Sequence, residues 1–499
     1  MDEKRHLAGV YIIRRGGRTR SDNGTIGGTG GLLRTRAAAA AGVLHGDAAP
    51  AALPCGGNSY ERRLHMEKCT SVLLGILACA ACIPAHANGE SLVRGVLPQI
   101  TAWRRDLHQH PELSNHETRT AKLVADELKK LGFQVRTGIA HTGVTGMLKG
   151  GKPGPKLALR ADMDALPVTE QVALPFASKA TGEYQGKQVG VMHACGHDAH
   201  TAMLLGIAAI LAGMKADLPG EVMLIFQPAE EGAPMGEEGG APLMVKEGVF
   251  KDFKPDAVFG LHVRSALAVG TVAVLPGGEM ASSDTFRIVV HGRGSHGAQP
   301  WLGIDPIVTA AEIVTNAQTI VSRRLDLNKS PAVVTFGIFN GGQRFNIVPE
   351  TAELQGTVRA FDEGVRQQAL SSLRSIAEHV AAANGATIEA NIPFDDSNPV
   401  TYNDPALTQR VRASLEKALG KEHVVEGQRW TASEDFPQLA LAVRAPAVYF
   451  FVGATPPGID PATAPANHSP KFMLDEGALE TGTRAMLQAS LDFLGFDPH

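Results

Sequence analysis

Past Ala87 the apolar positions fall into helical and extended runs that alternate along the chain. Helical spacing carries through Trp103-Arg104-Arg105-Asp106-Leu107 and breaks at the turn His108-Gln109-His110-Pro111-Glu112. A second helix is predicted roughly over 117–131, with Val124, Leu128 and Leu131 on one face and Gly132 ending it. Short apolar strands follow at 156–161, 221–226 and 257–261. Between the first two lies a helix from about Ala199, where Met203, Leu204, Ile207, Ile210 and Leu211 recur at helical spacing. Strands alternating with helices, with polar residues at the strand ends, predict an α/β sheet whose site lies along its carboxyl edge.

From about Ser282 to Pro393 the order changes. A strand at 285–291, a helix at 305–321, strands at 332–339 and 351–361, a helix at 364–383 and a strand at 386–393 spell β-α-β-β-α-β. That order is a ferredoxin-like unit, which closes on itself as a domain. The α/β text then resumes with a helix at 405–419 and a strand at 447–452. The expected fold is therefore an α/β catalytic domain in two parts, 88–281 and 396–499, with a ferredoxin-like lid inserted at 282–395. A chain of 499 residues has room for that arrangement.

The first 87 residues read differently. Residues 1–65 are rich in Gly, Ala and Arg and hold no sustained apolar period. Then come Met66-Glu67-Lys68, an apolar run from Val72 to Ile83, and Ala85-His86-Ala87. A charged start, a short apolar core and a small-x-small site are the anatomy of a signal peptide. Translation is expected to start at Met66, with 1–65 a non-structural upstream extension and 66–87 removed. Arg62-Arg63 as a degenerate twin-arginine signal and Ile76-Leu77-Ala78-Cys79 as a lipidation site are the rival readings. The run is too short to span a bilayer as a helix, and no other stretch is long enough. The protein is thus expected to be exported, periplasmic or secreted, and free of the membrane after cleavage. Residues 1–65 carry ten Lys and Arg against five Asp and Glu, so the rest of the chain is more acidic than the net charge of −4 suggests. A moderately acidic body without a basic stripe argues against nucleic acid and anionic membrane as partners.

The chemistry concentrates in Val191-Met192-His193-Ala194-Cys195-Gly196-His197-Asp198-Ala199-His200-Thr201. Read as extended, the segment projects His193, Cys195 and His197 from one face, and Asp198 becomes the N-cap of the following helix. A Cys-x-His pair at a rigid turn suits a transition metal; the plainer reading is a buried Cys beside loop histidines. Cys55, Cys69, Cys79 and Cys82 all lie in the part expected to be lost, so Cys195 keeps no disulfide partner, and ligation would protect its thiolate in an oxidising compartment. Asp162 and Asp164, two apart at a strand end, read as a turn with a cap or as carboxylates that orient metal ligands. Glu230 and Glu231 repel each other unless a cation lies between them; such pairs are usually solvated surface. His262 after an apolar strand, and His296 after another, would each in isolation be core or loop.

Taken in order, these motifs resemble the M20 metallopeptidase superfamily, specifically its aminoacylase-like branch of hippurate and auxin-conjugate hydrolases. The markers are Arg160-Ala161-Asp162-Met163-Asp164-Ala165-Leu166-Pro167, His193 to His200, Gln227-Pro228-Ala229-Glu230-Glu231-Gly232, Gly294-Ser295-His296-Gly297-Ala298, Asn346-Ile347-Val348-Pro349-Glu350 and Asn467-His468-Ser469-Pro470. The resemblance runs from Trp103 to Leu494. It implies two divalent ions held by Cys195, His197, Glu231, His262 and His468, with Glu230 as general base. It also implies that His296 supplies a donor to the developing oxyanion and that Asn346 contacts substrate. Lids of this kind pair through their sheet edges, so a homodimer is implied, with His296 reaching the neighbouring site.

The physics is compatible. Two cations acidify a water between them, and a carboxylate beside the ligands can take its proton and pass it to the leaving nitrogen. Thiolate favours zinc, while carboxylate and imidazole also suit manganese, cobalt or nickel. One departure is Gln299-Pro300-Trp301, where branch members often carry His after the Pro; Trp301 either stacks on an aromatic acyl group or packs under the lid. The expected function is hydrolysis of an N-acyl amino acid or related amide to a carboxylate and a free amino acid. The alternatives are a carboxypeptidase or dipeptidase acting on short peptides, and a non-enzymatic metal-containing binding protein. Glu230 argues against the last, since a structural metal site needs no spare base.

Overall fold

A computed structural model of the chain describes residues 89–394 and 397–497. The expectations for 1–65, for the signal peptide at 66–87 and for Cys55, Cys69, Cys79 and Cys82 lie outside the described residues. Among the described residues no helix is long and apolar enough to cross a membrane.

The fold is mixed α/β, as the alternation of strands and helices predicts. The strands Lys152–Asp162, Pro219–Gln227, Ala257–Ala268 and Ala447–Thr455 carry near-continuous apolar runs. They do so because both of their faces are covered. Leu157, Leu159, Leu224, Phe259 and Phe450 enter one core, while Ala158, Met223, Ile225, Val258 and Tyr449 enter another on the opposite face. The first core is closed by the helices Gly89–Gln109, His197–Gly213 and Gly477–Leu494, whose apolar residues pack there. Burying each such Leu or Phe contributes about 1.5–3 kcal/mol before chain entropy is subtracted.

The central sheet has eight strands in the order Gln134–Ile139, Gly143–Lys149, Pro219–Gln227, Lys152–Asp162, Ala257–Ala268, Ala447–Thr455, Val272–Val274, Val424–Glu426. Its middle four run parallel, and the hairpin Gln134–Lys149 adds an antiparallel edge that periodicity had not marked. The outer strand of that hairpin is mostly exposed and broken by a bulge, so it carries little apolar signal. Because the strand from Ala257 continues to Ala268, His262 lies within it and not past its end.

A second sheet orders its strands Ala332–Gly341, Thr351–Ala360, Asp284–His291, Thr387–Asn391, all antiparallel. That is second, third, first and fourth in chain order, the ferredoxin-like arrangement. Its own core holds Phe286, Ile288, Leu354, Leu373 and Ile313, covered by the helices Pro306–Thr319 and Glu363–Ala383. The chain enters and leaves this sheet side by side. Ser283 and Asn398 exchange two backbone hydrogen bonds of 2.8 and 2.9 Å, and the Ser282 N–H donates to Ala360 O. That crossing brings the end of the Thr351–Ala360 strand to the carboxyl edge of the central sheet.

Candidate metal centre

Two left-handed positions, at Gly196 and at His468, help assemble the site. Gly196, with φ of 98°, separates Cys195 from His197 and lets the helix His197–Gly213 begin at once. A Cβ there would lie 2.3 Å from Val263 Cγ2, so only glycine fits. This differs from the extended segment predicted. Cys195 and His197 converge through a turn, while His193 points elsewhere: it is buried, neither ring nitrogen has a hydrogen-bond partner, and burial lowers its pKa to about 4. Asp198 is not the N-cap either, because it already lies in the first helical turn. Its carboxylate accepts from Arg104 Nε (3.0 Å) and pairs with His108 Nδ1 (2.8 Å), which pins the helix Gly89–Gln109 behind the site.

Each histidine's outer nitrogen is fixed by its inner one. His197 Nδ1 lies 2.9 Å from Asp164 O and 3.2 Å from Asp164 Oδ1, which leaves Nε2 free. His262 Nδ1 donates to Val263 O (2.6 Å), turning Nε2 to within 3.2 Å of Cys195 Sγ. His468, at φ of 72°, is held by its N–H to Ala194 O; its Nε2 lies 3.2 Å from Cys195 Sγ and 3.1 Å from Glu231 Oε1. His200 differs. Its Nε2 accepts from the Val263 N–H (2.9 Å) and its Nδ1 faces Asp162 Oδ1 (2.6 Å), so it has no lone pair to offer. Asp162 is committed as well, to His200 and to Arg160 Nη1 (2.6 Å).

Of the donor groups gathered here, two meet at Cys195, one of Cys195, His197 and His262 and one of Cys195, Glu231 and His468. In each, the ligand atoms lie within 4.8 Å of one another, and the groups share the sulfur. These residues fit a pair of cations. His197 Nε2 and Glu231 Oε1 are buried and lack a hydrogen-bond partner, since His468 approaches Glu231 without hydrogen-bond geometry. Such orphaned atoms cost about 1–3 kcal/mol each unless an ion meets them. The charge balance points the same way. Burial opposes protonation of His197, but Asp162, Asp164 and Glu231 outweigh it and raise the pKa to about 10, a proton standing in for a cation. Burial, then Glu231 and Glu230, push the Cys195 thiol up. Burial, then Glu434 and Glu231, push Glu230 up.

Beneath Glu230 lies a cluster that motif spacing had not revealed. Arg160, fully buried, donates to Asp162 (2.6 Å), Glu434 (2.7 Å), Asp435 (3.2 Å) and Gln227 (2.8 Å). Tyr449 Oη donates to Glu434 at 2.7 Å. Burial raises Asp435 to about 7, with Arg160 opposing and Glu434 adding. A cavity of about 480 Å³ opens over these groups, and Arg359, Asn398 and Trp430 form its other wall. Arg359, half-buried at the end of the Thr351–Ala360 strand, makes no side-chain hydrogen bond or ion pair among the described residues. Its nearest anion in effect, Asp284, is taken by two bonds from Arg366. Glu434-Asp435 could have been flagged as Glu230-Glu231 was; a single Arg in a strand leaves no such signal.

The other predicted residues are placed as follows. Asp164 orients His197 and accepts the Glu231 N–H at 3.0 Å. His296 and Asn346 do not line the cavity. They lie together on the lid, where a ribbon pairs His296 with Ile347 and the Gly297 N–H donates to Asn346 O. His296 is exposed. Trp301 is 73% exposed, so within one chain it neither packs under the lid nor faces the cavity.

Comparison with known proteins agrees with this geometry. Residues 158–492 match the model of peptidase family M20/M25/M40. The chain is 40% identical to thermostable carboxypeptidase 1 of Saccharolobus solfataricus, over 80% of its own length and 97% of the relative's. It is 39% identical to N-acetyl-L-cysteine deacetylase of Bacillus subtilis, over 76% and 85%. A solved Bacillus subtilis structure, a dinuclear metal binding peptidase from the M20 family, superposes with a TM-score of 0.65 at 33% identity, covering 81% of this chain and all of that one. The chain belongs to peptidase family M20/M25/M40, within its aminoacylase-like branch, and is a hydrolase of amide bonds.

Proposed function

We propose that the protein is an exported, dinuclear amidohydrolase that cleaves N-acyl amino acids or related amides to a carboxylate and a free amino acid. The observation that carries this reading is the pair of donor groups sharing the Cys195 sulfur, with Glu230 beside them. Cys195, His197 and His262 would hold one divalent ion, and Cys195, Glu231 and His468 the other, zinc and manganese suiting the mixed donor set best. Bound there, the ions would polarise the amide carbonyl and acidify water. Glu230, beside both donor groups, takes the water's proton and delivers it to the leaving nitrogen. Arg359 and Asn398 receive the free carboxylate of the amino acid being released. A half-buried guanidinium without a partner is suited to that bidentate contact.

Residues 282–395 act as a lid and pairing domain in a homodimer. An exposed apolar patch around His296, comprising Trp301, Leu302, Phe345 and Ile347, supports the pairing. Across it His296 would donate to the developing oxyanion of the partner subunit's site, and Asn346 would contact substrate. Carboxypeptidase activity on short peptides is the second reading; the similarity to a carboxypeptidase favours it, and Arg359 would serve it equally.

The test is a hydrolysis screen of N-acyl amino acids and dipeptides on metal-reconstituted protein, with two variants. Glu230→Gln is expected to keep its metal and lose most activity. Cys195→Ser is expected to lose metal from both positions, because a hydroxyl is a far poorer ligand than thiolate. Unchanged metal content in Cys195→Ser would refute the central assignment.

A further inference from the structure

Glu230 and Glu231 are neighbours in sequence, and neighbours on a strand point to opposite faces. Here they converge: Glu230 Oε2 lies 3.8 Å and Glu231 Oε1 3.9 Å from His197 Nε2. The turn that permits this is at Ala229, whose φ is 50°. A left-handed conformation costs a residue with a Cβ about 1–2 kcal/mol, so something must hold it.

Glu117 is in a position to do so. It is 0% exposed and directly precedes the helix Thr118–Lys130. Its Oε1 accepts from the Ala229 N–H at 2.9 Å and from the Asn115 N–H at 3.1 Å. Its Oε2 accepts from Thr142 Oγ1 at 2.6 Å. Asn115 is itself left-handed at φ of 63°, and so is His141, next to Thr142, at φ of 71°. One carboxyl group therefore ties together three turns that the backbone disfavours, among them the turn that aims the two glutamates. Glu117 does not line the cavity, so it acts only through this loop.

We propose that Glu117 is a positioning residue of the active site: its carboxyl oxygen holds Ala229 left-handed and thereby aims Glu230 into the site beside Glu231. The inference rests on the reading of Glu230 as base and Glu231 as ligand. The device needs an acceptor and not a charge. Burial, then the nearby Asp164 carboxylate, raise Glu117 to about 8. A protonated Glu117 keeps Oε1 for both N–H donors and only reverses the bond to Thr142. Glutamine reproduces that arrangement, with its amide nitrogen toward Thr142; alanine abolishes it.

The test compares kcat, KM, bound metal and thermal midpoint for Glu117→Ala and Glu117→Gln in the full, metal-loaded enzyme. Glu117→Ala is expected to lower kcat about 100-fold, the scale of a 1 Å misplacement, with KM within about threefold and metal content intact. Glu117→Gln is expected to restore most of that loss. Adding Ala229→Gly to Glu117→Ala is expected to recover about tenfold, because glycine adopts a positive φ without strain. Should the Ala variant not fold, Glu117→Asp, one methylene short of Ala229, is expected to show the same kcat loss. Wild-type kcat in the Ala variant, or in the Asp variant in its place, overturns the proposal, as does a Gln variant no better than Ala. Glu230→Gln is the control that separates the two claims. If it stays active, the base assignment falls; if it is dead while Glu117→Ala is unimpaired, only the positioning role falls.

Discussion

Arg359 offers the sharpest test of how substrate is held. Replacing it with Met keeps the length of the side chain and removes the guanidinium from the cavity wall. The side chain is half-buried, makes no hydrogen bond or ion pair among the described residues, and the carboxylate that acts on it, Asp284, is already bonded twice by Arg366. Among the described residues no other polar contact is broken by the change, so its effect reads the contact with substrate. Two charge-assisted hydrogen bonds to a carboxylate are worth about 1.5–3 kcal/mol each when buried. Partial exposure reduces that, so a total of about 2–3 kcal/mol is expected, or roughly 30- to 150-fold in kcat/KM. The assay measures kcat/KM on an N-acetyl amino acid and on the same compound with its carboxylate converted to the amide. The wild type is expected to prefer the acid by that factor, and Arg359→Met is expected to lose the preference while handling the amide normally. An equal loss on acid and amide would refute the reasoning, because the arginine would then be supporting the cavity without reading a carboxylate.

Two other outcomes are expected. His296→Ala is expected to lower turnover by about two to three orders of magnitude with metal intact; mixing it with Glu230→Gln subunits should restore activity once heterodimers of differently tagged chains are demonstrated, and heterodimers that stay dead rule out a donor acting across the interface. N-terminal sequencing of exported protein is expected to begin at or near Asn88, and a mature chain retaining Met1 would overturn both the start site and the signal peptide.

Periodicity in the sequence was enough for the elements that bury one continuous face. The helix expected at 405–419 is the helix Pro405–Leu419, and the ferredoxin-like strand order emerged from the succession of elements alone. It failed where backbone conformation, and not burial, decides geometry. His193 looked equivalent to His197 because alternation treats them alike, yet the left-handed Gly196 sends only His197 to the metal donors. Asp198 looked like a cap because the start of the helix was read two residues late. Arg359 and Glu434 reach the site from strand and loop positions nearly 130 and more than 200 residues from Glu230, Arg359 on the strand beside the crossing at Ser283 and Asn398 and Glu434 through its bonds to Arg160 and Tyr449. Glu117 was invisible for a related reason: its partners are backbone N–H groups, which carry no residue identity.

The cluster under the cavity also bears on how long the protein lasts. Arg160 is one positive charge among Asp162, Glu434 and Asp435, with Glu230 and Glu231 close above. Crowding these buried carboxylates opposes folding, and cations entering the site would relieve it. Ligand binding to the native state alone adds about 2.7 kcal/mol at one hundred times Kd, a large fraction of the stability of an ordinary domain. Metal supply would thus govern abundance as well as turnover. With the sites empty the chain would open more often and be more exposed to proteases.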